Sequence, residues 1–447
     1  MAEEQTSAET VRLHVLLRDR GYRRLLLVSG LVGIPVSLAA FGFVSLAHAL
    51  EHGVWEALPQ ALGWSRAPWW WPLPTLLVCG TLVALAVTRL PGRGGHVPVG
   101  GLDATPTRPR DLPGIVLAAL ASLGLGAVLG PEAPLMALGS GLALFAVRPA
   151  RREQNPRLAP VLGAAGSAAA IATVFGNPLV AAVLLIEAAG IGGPQLFLLM
   201  LPCLLSSGVG ALVFTGFGRW SGFGIGALDL PTVPPDRPPA PGDFLWGIPL
   251  AAVIACGVVA ATRLGRVVAD RAARHTAATT IAAALAVGTC AGGYALATGR
   301  SPEEVALSGQ ATLAHLAADP GSWPVSALLL LVVFKGVAWG LSLGSLRGGP
   351  VFPALLIGPA LATALAGVPG FAPAPALAVG MAAAGAAVLR LPVSAAVLAS
   401  LLLGRDAADQ LPLVVIAAVV AFAVGEVLRA RGLPAAESGE RSGTGPS

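Results

Sequence analysis

The chain has 447 residues and a formal net charge of +5, with 55% hydrophobic and only 11% charged residues. A soluble domain carries about 25% charged residues, so the composition excludes a soluble globular protein and places the chain in a lipid bilayer. Its basic residues cluster at the ends of apolar runs, which marks membrane topology and excludes nucleic acid as a partner.

Met1 to Asp19 is mostly polar and mildly acidic and lacks the layout of a cleaved signal peptide. Apolar segments then fill most of the chain, at 25–49, 72–90, 114–129, 135–148, 159–175, 178–189, 194–216, 244–262, 277–298, 322–344, 354–368, 374–390, 392–404 and 411–428. A full span needs about 20 apolar residues, and several of these are shorter. Short, Gly/Pro-interrupted segments in both halves predict broken helices that meet near the bilayer midplane, as in transporters and related channels. The 57 glycines and 38 prolines fit that pattern.

Two surface loops are predicted. Glu51 to Trp71 ends in the aromatic anchor Trp69-Trp70-Trp71, and Arg219 to Asp243 is rich in proline. Basic clusters at Arg18 to Arg24 and Arg263 to Arg274, and the pair Arg429 and Arg431, read as cytoplasmic; a further cluster lies at Arg148 to Arg157. The expected organisation is a cytoplasmic N-terminal segment (1–23), a first membrane repeat (24–217), an extracytoplasmic linker (218–243), a second repeat (244–430) and a disordered cytoplasmic tail (431–447). This is a multi-pass protein of the cell membrane with both termini in the cytoplasm. Cys79, Cys203, Cys256 and Cys290 all lie in apolar runs without a CxxC, so they read as buried hydrophobes rather than disulfides or metal ligands.

The duplication shows in two stretches at one offset. Gly166-Ser167-Ala168-Ala169-Ala170 matches Gly380-Met381-Ala382-Ala383-Ala384, and Pro178 to Leu184 matches Pro392 to Leu398. The match itself does not say whether the copies are parallel or inverted.

Glu132, in Gly130-Pro131-Glu132-Ala133-Pro134, lies between two nearly uncharged runs. A carboxylate at that depth costs on the order of 3 kcal/mol, so a lone acid there is a functional-site hypothesis. The second half has its own break, Gly348-Gly349-Pro350-Val351-Phe352-Pro353. Helix starts carry free N–H groups and a partial positive charge. Two of them aimed at one buried point would bind an anion without a fixed cation. A third Gly-rich turn, Gly92 to Pro98, contains Gly95 and His96; His96 is either a solvated loop histidine or a donor to the anion. Lys335, the only lysine, is either a snorkelling side chain or an electropositive contribution to the pathway.

These motifs resemble the CLC family of chloride channels and proton/chloride antiporters. Gly130 to Pro134 is similar to the family's GREGP motif, and Gly349 to Pro353 to its GxFxP motif. Phe175-Gly176-Asn177-Pro178-Leu179 with Glu187 resembles its FNxPLAG…E helix. Lys335, Leu343-Gly344 and Ser345 onward resemble its K…SLGSGG run, and Gly380 to Ala383 with Leu391-Pro392 its GMAA…RAP segment. The likeness runs in order from about residue 20 to 430.

The resemblance implies an all-α integral membrane fold, a CLC-like inverted repeat of tilted and partial helices, assembled as a homodimer with one anion pathway per subunit. It implies that Glu132 is the gating carboxylate, which competes with the anion and leaves when protonated. Backbone N–H groups around Gly130, Ala133, Gly349, Val351 and Phe352 would hold the anion; Gly95, His96 and Lys335 are further candidates, from their positions in the sequence, to line the path.

Several positions depart from the family. Gly95 stands where the family has an anion-binding serine. The late tyrosine ligand has no counterpart, since the two tyrosines are Tyr22 and Tyr294. Pro350 removes an N–H donor, and Pro131 replaces an arginine. Ala188 falls at the inner proton glutamate, beside Glu187, which the family comparison makes structural. The expectation is therefore channel-like or weakly proton-coupled transport of chloride or a similar small anion. Fluoride and nitrate stay open, and protons are a second candidate partner. The alternative is a non-conducting scaffold or regulatory protein that keeps the fold. No Ser/His or Asp/Asp pair, HExxH or nucleotide loop marks an enzyme, and no cofactor is expected.

Overall fold

The computed structural model describes residues 18–103, 105–146, 159–190, 194–221, 230, 238–404 and 407–431. The cluster Arg148 to Arg157, most of the proline-rich connection and the tail from 432 lie outside the described residues.

The chain begins on a long helix, α1 (Arg20–His52), started by Asp19, whose carboxylate accepts the Tyr22 N–H at 3.0 Å. The helix does not stop at Glu51, where a surface loop was expected. A wider turn, Gly53–Ala57, and a last turn, Leu58–Ala61, carry it on. The reason is an inward face: Trp55 is 1% exposed, and a Cβ on Gly126 would overlap its indole. The aromatic anchor divides likewise. Trp69 and Trp70 stay exposed, while Trp71 turns inward and donates its indole N–H to the Val54 carbonyl at 3.1 Å.

The remaining helices of the first half are α2 (Pro72–Arg89), α3 (Leu112–Gly124), α4 (Glu132–Ala146), α5 (Ala159–Phe175), α6 (Pro178–Ala189) and α7 (Pro194–Ser221). The second half repeats the series as α8 (Pro241–Arg274), α9 (Thr276–Thr298), a short α10 (Gln310–Ala318), α11 (Val325–Ser345), α12 (Val351–Ala364), α13 (Pro373–Leu389), α14 (Pro392–Leu403) and α15 (Ala407–Ala430). Long helices correspond to long ones and short to short, α1 to α8 and α4–α7 to α12–α15. Among the described residues, seven helices are long and apolar enough to cross a membrane. Helices α4–α6 and α12–α14 have 12–17 residues. At 1.5 Å per residue they fall short of the roughly 30 Å hydrocarbon core, so they are the broken helices the sequence predicts.

Equivalent crossings recur in both halves. A Cβ on Gly139 would run into the Gly166 carbonyl between α4 and α5, and one on Gly358 into the Gly380 carbonyl between α12 and α13. Glycine at both crossings lets the backbones touch, the usual device for packing helices in lipid. The alanine-rich α5 and α13 are apolar all round and form the centre of the core.

The halves join at their breaks. Gly130 and Gly349 pair as an antiparallel bridge, Gly130 N–H to Gly349 carbonyl at 2.8 Å and the reverse at 2.5 Å. Each half also lends a serine to the other. Ser342 Oγ on α11 accepts the Val128 N–H at 3.3 Å, and Ser122 Oγ on α3 accepts the Arg347 N–H at 3.1 Å. Such reciprocal bonding is what two copies related by a two-fold axis produce.

Candidate functional site

Each break reads Gly-Pro-x-x-Pro, Gly130 to Pro134 and Gly349 to Pro353. The glycine makes the bridge, the next proline ends the extended stretch, and the helix begins one residue later. The two helix starts, α4 and α12, are thereby fixed side by side.

Glu132 is the first residue of α4 and is wholly buried. Its Oε1 accepts the Phe352 N–H of α12 at 2.9 Å. Its Oε2 has no hydrogen-bond partner among the described residues. The carboxylate is seated in a hollow made by missing side chains: a Cβ on Gly130 or Gly349 would collide with its oxygens. The α12 start supplies the partial positive charge that this seat needs. Beyond it, the Phe352 ring stacks on Phe175, which ends α5, with centroids 5.6 Å apart. Val351 and Phe352 are fully buried.

The seat therefore gathers five of the expected residues, Gly130, Glu132, Gly349, Val351 and Phe352, but the Gly130 and Gly349 N–H groups are bonded to each other's carbonyls and are not the free anion donors that were expected. Ala133 lies just beyond, on the wall of a cavity of about 320 Å3 that also touches Gly94, Gly95, His96, Arg108, Arg347 and Gly348. His96 is at the cavity rim, with Nδ1 3.7 Å from Asp103 and its side chain 39% exposed.

Lys335 is not brought to this seat or to the cavity. Its Nζ donates to four carbonyls, those of Glu304, Val305, Ala306 and Leu307, at 3.0–3.3 Å. It is fully buried, so it does not snorkel. The ammonium instead organises the loop before α10, whose Leu307 N–H binds the Gly126 carbonyl at 3.2 Å. Arg300 and Tyr294 clamp Glu304 in the same loop. Tyr294 is thus engaged away from the seat, as is Tyr22, whose hydroxyl donates to the Phe197 carbonyl at 2.8 Å.

Glu187 receives the Val393 and Ser394 N–H groups and the Ser394 hydroxyl at 2.6–3.1 Å. It caps the start of α14, a structural role. Asn177 caps α6 by accepting the Leu179 N–H at 2.8 Å.

The residue that sequence reasoning passed over is Arg347. It is 7% exposed and sits on the cavity wall next to the second break. The signal was present: a charge in an uncharged run, the same argument that singled out Glu132.

Residues 99–426 match the family described as voltage gated chloride channel. The chain belongs to this family, the CLC family. Among curated relatives of the CLC chain, the "Putative ion-transport protein YfeO" of Salmonella paratyphi A is 30% identical over 173 residues, 37% of this chain and 40% of that protein. The protein of the same name from Salmonella typhimurium matches to the same extent. The matched stretch thus spans less than half of these relatives. Two solved structures share the fold. One is a slow cyanobacterial Cl−/H+ antiporter (TM-score 0.73, 22% identity, 91% of this chain and 97% of that one). The other is a CLC-type fluoride/proton antiporter (TM-score 0.66, 18% identity, 91% and 96%). The CLC chain is a multi-pass membrane protein, all-α as expected, and its family is one of channels and transporters rather than enzymes.

Proposed function

We propose that this CLC chain moves a small monovalent anion, chloride by family default, along a path between the starts of α4 and α12, and that Glu132 is its gate. The observation that carries this reading is the seat itself. A buried carboxylate oxygen takes the Phe352 N–H at 2.9 Å while the other oxygen is unpaired. That spot offers backbone donors and a helix-dipole end, which suit an anion as well as they suit a carboxylate. With Glu132 seated the path is closed. Protonation removes the charge that holds the side chain there, and the anion takes its place.

Ala188 at the position of the family's inner glutamate, with Glu187 occupied in capping α14, favours channel-like or weakly proton-coupled transport. The solved relatives couple chloride or fluoride to protons, so both anions are candidates. The selectivity rests on backbone donors and pocket size.

A second copy of the chain fits an apolar groove of α6, α14 and α15, where Leu179, Val393, Leu401, Leu411, Val415 and Val419 are 41–57% exposed. We read the protein as one of the cell membrane with both termini cytoplasmic, a reading supported by its basic clusters. The missing hydroxyl at Gly95 favours the alternative of a non-conducting scaffold. Planar-bilayer reversal potentials decide between the two. An imposed chloride gradient shifts the potential if the protein conducts, and a proton gradient shifts it little if coupling is weak. Absence of any protein-dependent current or flux leaves the scaffold.

A further inference from the structure

We infer that Arg347 is an anion ligand on the transport path, supplied by the second half of the molecule where the first half lacks the family's serine hydroxyl. This rests on the transport reading above and adds to it a residue that no motif of the family marks.

The side chain is more than nine-tenths buried. Its Nη1 donates to the carbonyls of Ser345 and Leu346 at 3.2 and 3.1 Å. Its Nε has no partner, and no carboxylate pairs with the guanidinium among the described residues. Leaving a charged donor buried and unmatched costs several kcal/mol, so the arrangement is poised for a counter-charge from outside the protein. The cavity wall supplies none. Asp103 is turned to His96 at 3.7 Å and to the Thr105 N–H at 2.8 Å, and Asp111 lies 3.7 Å from Arg110.

The position is specific. The Nε lies 3.3 Å from where a Cβ on Gly94 would stand. Gly94 and Gly95 have φ values of 72° and 89°, a region that favours glycine. The guanidinium thus lies over the glycine turn where the hydroxyl is missing. The backbone is anchored too, because the Arg347 N–H is bound to Ser122 Oγ at 3.1 Å. Two residues on, a Cβ at Gly349 would meet Glu132 Oε2. An anion leaving the seat of Glu132 toward the cavity therefore meets this guanidinium next. Its planar fork binds halides and small oxoanions such as nitrate alike.

Bromide-soaked crystals of the wild type, Glu132→Gln and Arg347→Gln, examined by anomalous scattering, test this. The expected result is a bromide beside Arg347 in the first two and none there in Arg347→Gln. A second bromide between the α4 and α12 starts is expected wherever Glu132 has vacated the seat. In calorimetry Arg347→Gln weakens chloride binding about tenfold, the value of one charge-assisted hydrogen bond, and Arg347→Lys restores part of it. A bromide at the helix starts with none beside Arg347 overturns the inference and spares the transport reading, whereas bromide at neither place overturns both. If Arg347→Gln does not fold, the wild-type and Glu132→Gln maps still decide.

Discussion

The two approaches to Glu132 are built from unlike material. On one side a cavity of about 320 Å3 reaches Ala133 and Gly348 and is bordered by Arg108, His96 and the buried Arg347. On the other, a crevice of about 30 Å3 reaches Leu129 and Pro131 and is bordered by His48, Glu51, Ser308 and Gln310. A space of the second size takes about two water molecules. The wide side, where Asp103 and Asp111 offset two arginines in number but the Arg347 guanidinium has no carboxylate partner among the described residues, suits an anion; the narrow side, with an acid and an imidazole, suits a proton. Glu132 is wholly buried, with its neighbour Ala133 on the cavity and its neighbour Pro131 on the crevice; under the function proposed above its carboxylate is the stopper between them.

The contrast can be broken at several points. Removing the stopper has the largest effect. Glu132→Ala leaves the seat to the anion at every pH, so chloride efflux from liposomes at pH 7 rises about tenfold or more, the effect expected when a blocking charge of at least 1.4 kcal/mol is lost. On the cavity side Arg347→Gln lowers flux at sub-saturating chloride in proportion to its weakened binding and recovers at high chloride; a loss that high chloride does not rescue would contradict a ligand role.

On the crevice side Glu51→Gln slows the opening that follows an acid jump by about threefold, less than 1 kcal/mol. Chloride affinity stays as in the wild type, which stopped-flow flux can separate from equilibrium binding. The smallest effect belongs to Glu303, in the loop before α10. Burial, and then the nearby Glu56, push its carboxyl up to about 7. A raised acid favours the folded state while protonated, and that contribution is lost as pH rises from the ordinary carboxylate range through about 7. Glu303→Gln should therefore raise the melting temperature by about 1–2 °C at pH 8 and leave it unchanged at pH 5, read by tryptophan fluorescence in detergent.

The sequence carried much of this. Gly/Pro punctuation located the broken helices, and the cost of an acid in lipid located Glu132. The Gly-Pro-x-x-Pro pairing of the two breaks was also there to be read. Lys335 was harder, because four backbone carbonyls from a separate loop solvate its ammonium and no residue pattern announces a carbonyl cage. The continuation of α1 to Ala61 was hidden by its mostly exposed turns; Trp55, reaching under Gly126, and Pro59 give it an inside. Arg347 was legible by the logic that found Glu132, but its meaning depends on Gly94, which only the fold brings next to it.

The most direct test is chloride efflux from proteoliposomes across pH 4.5–8.5, about the range over which a buried carboxyl titrates, for the wild type and Glu132→Gln. The account predicts a wild-type flux that climbs as pH falls and a Glu132→Gln flux that is high and flat. Superimposable pH profiles for the two proteins would contradict it.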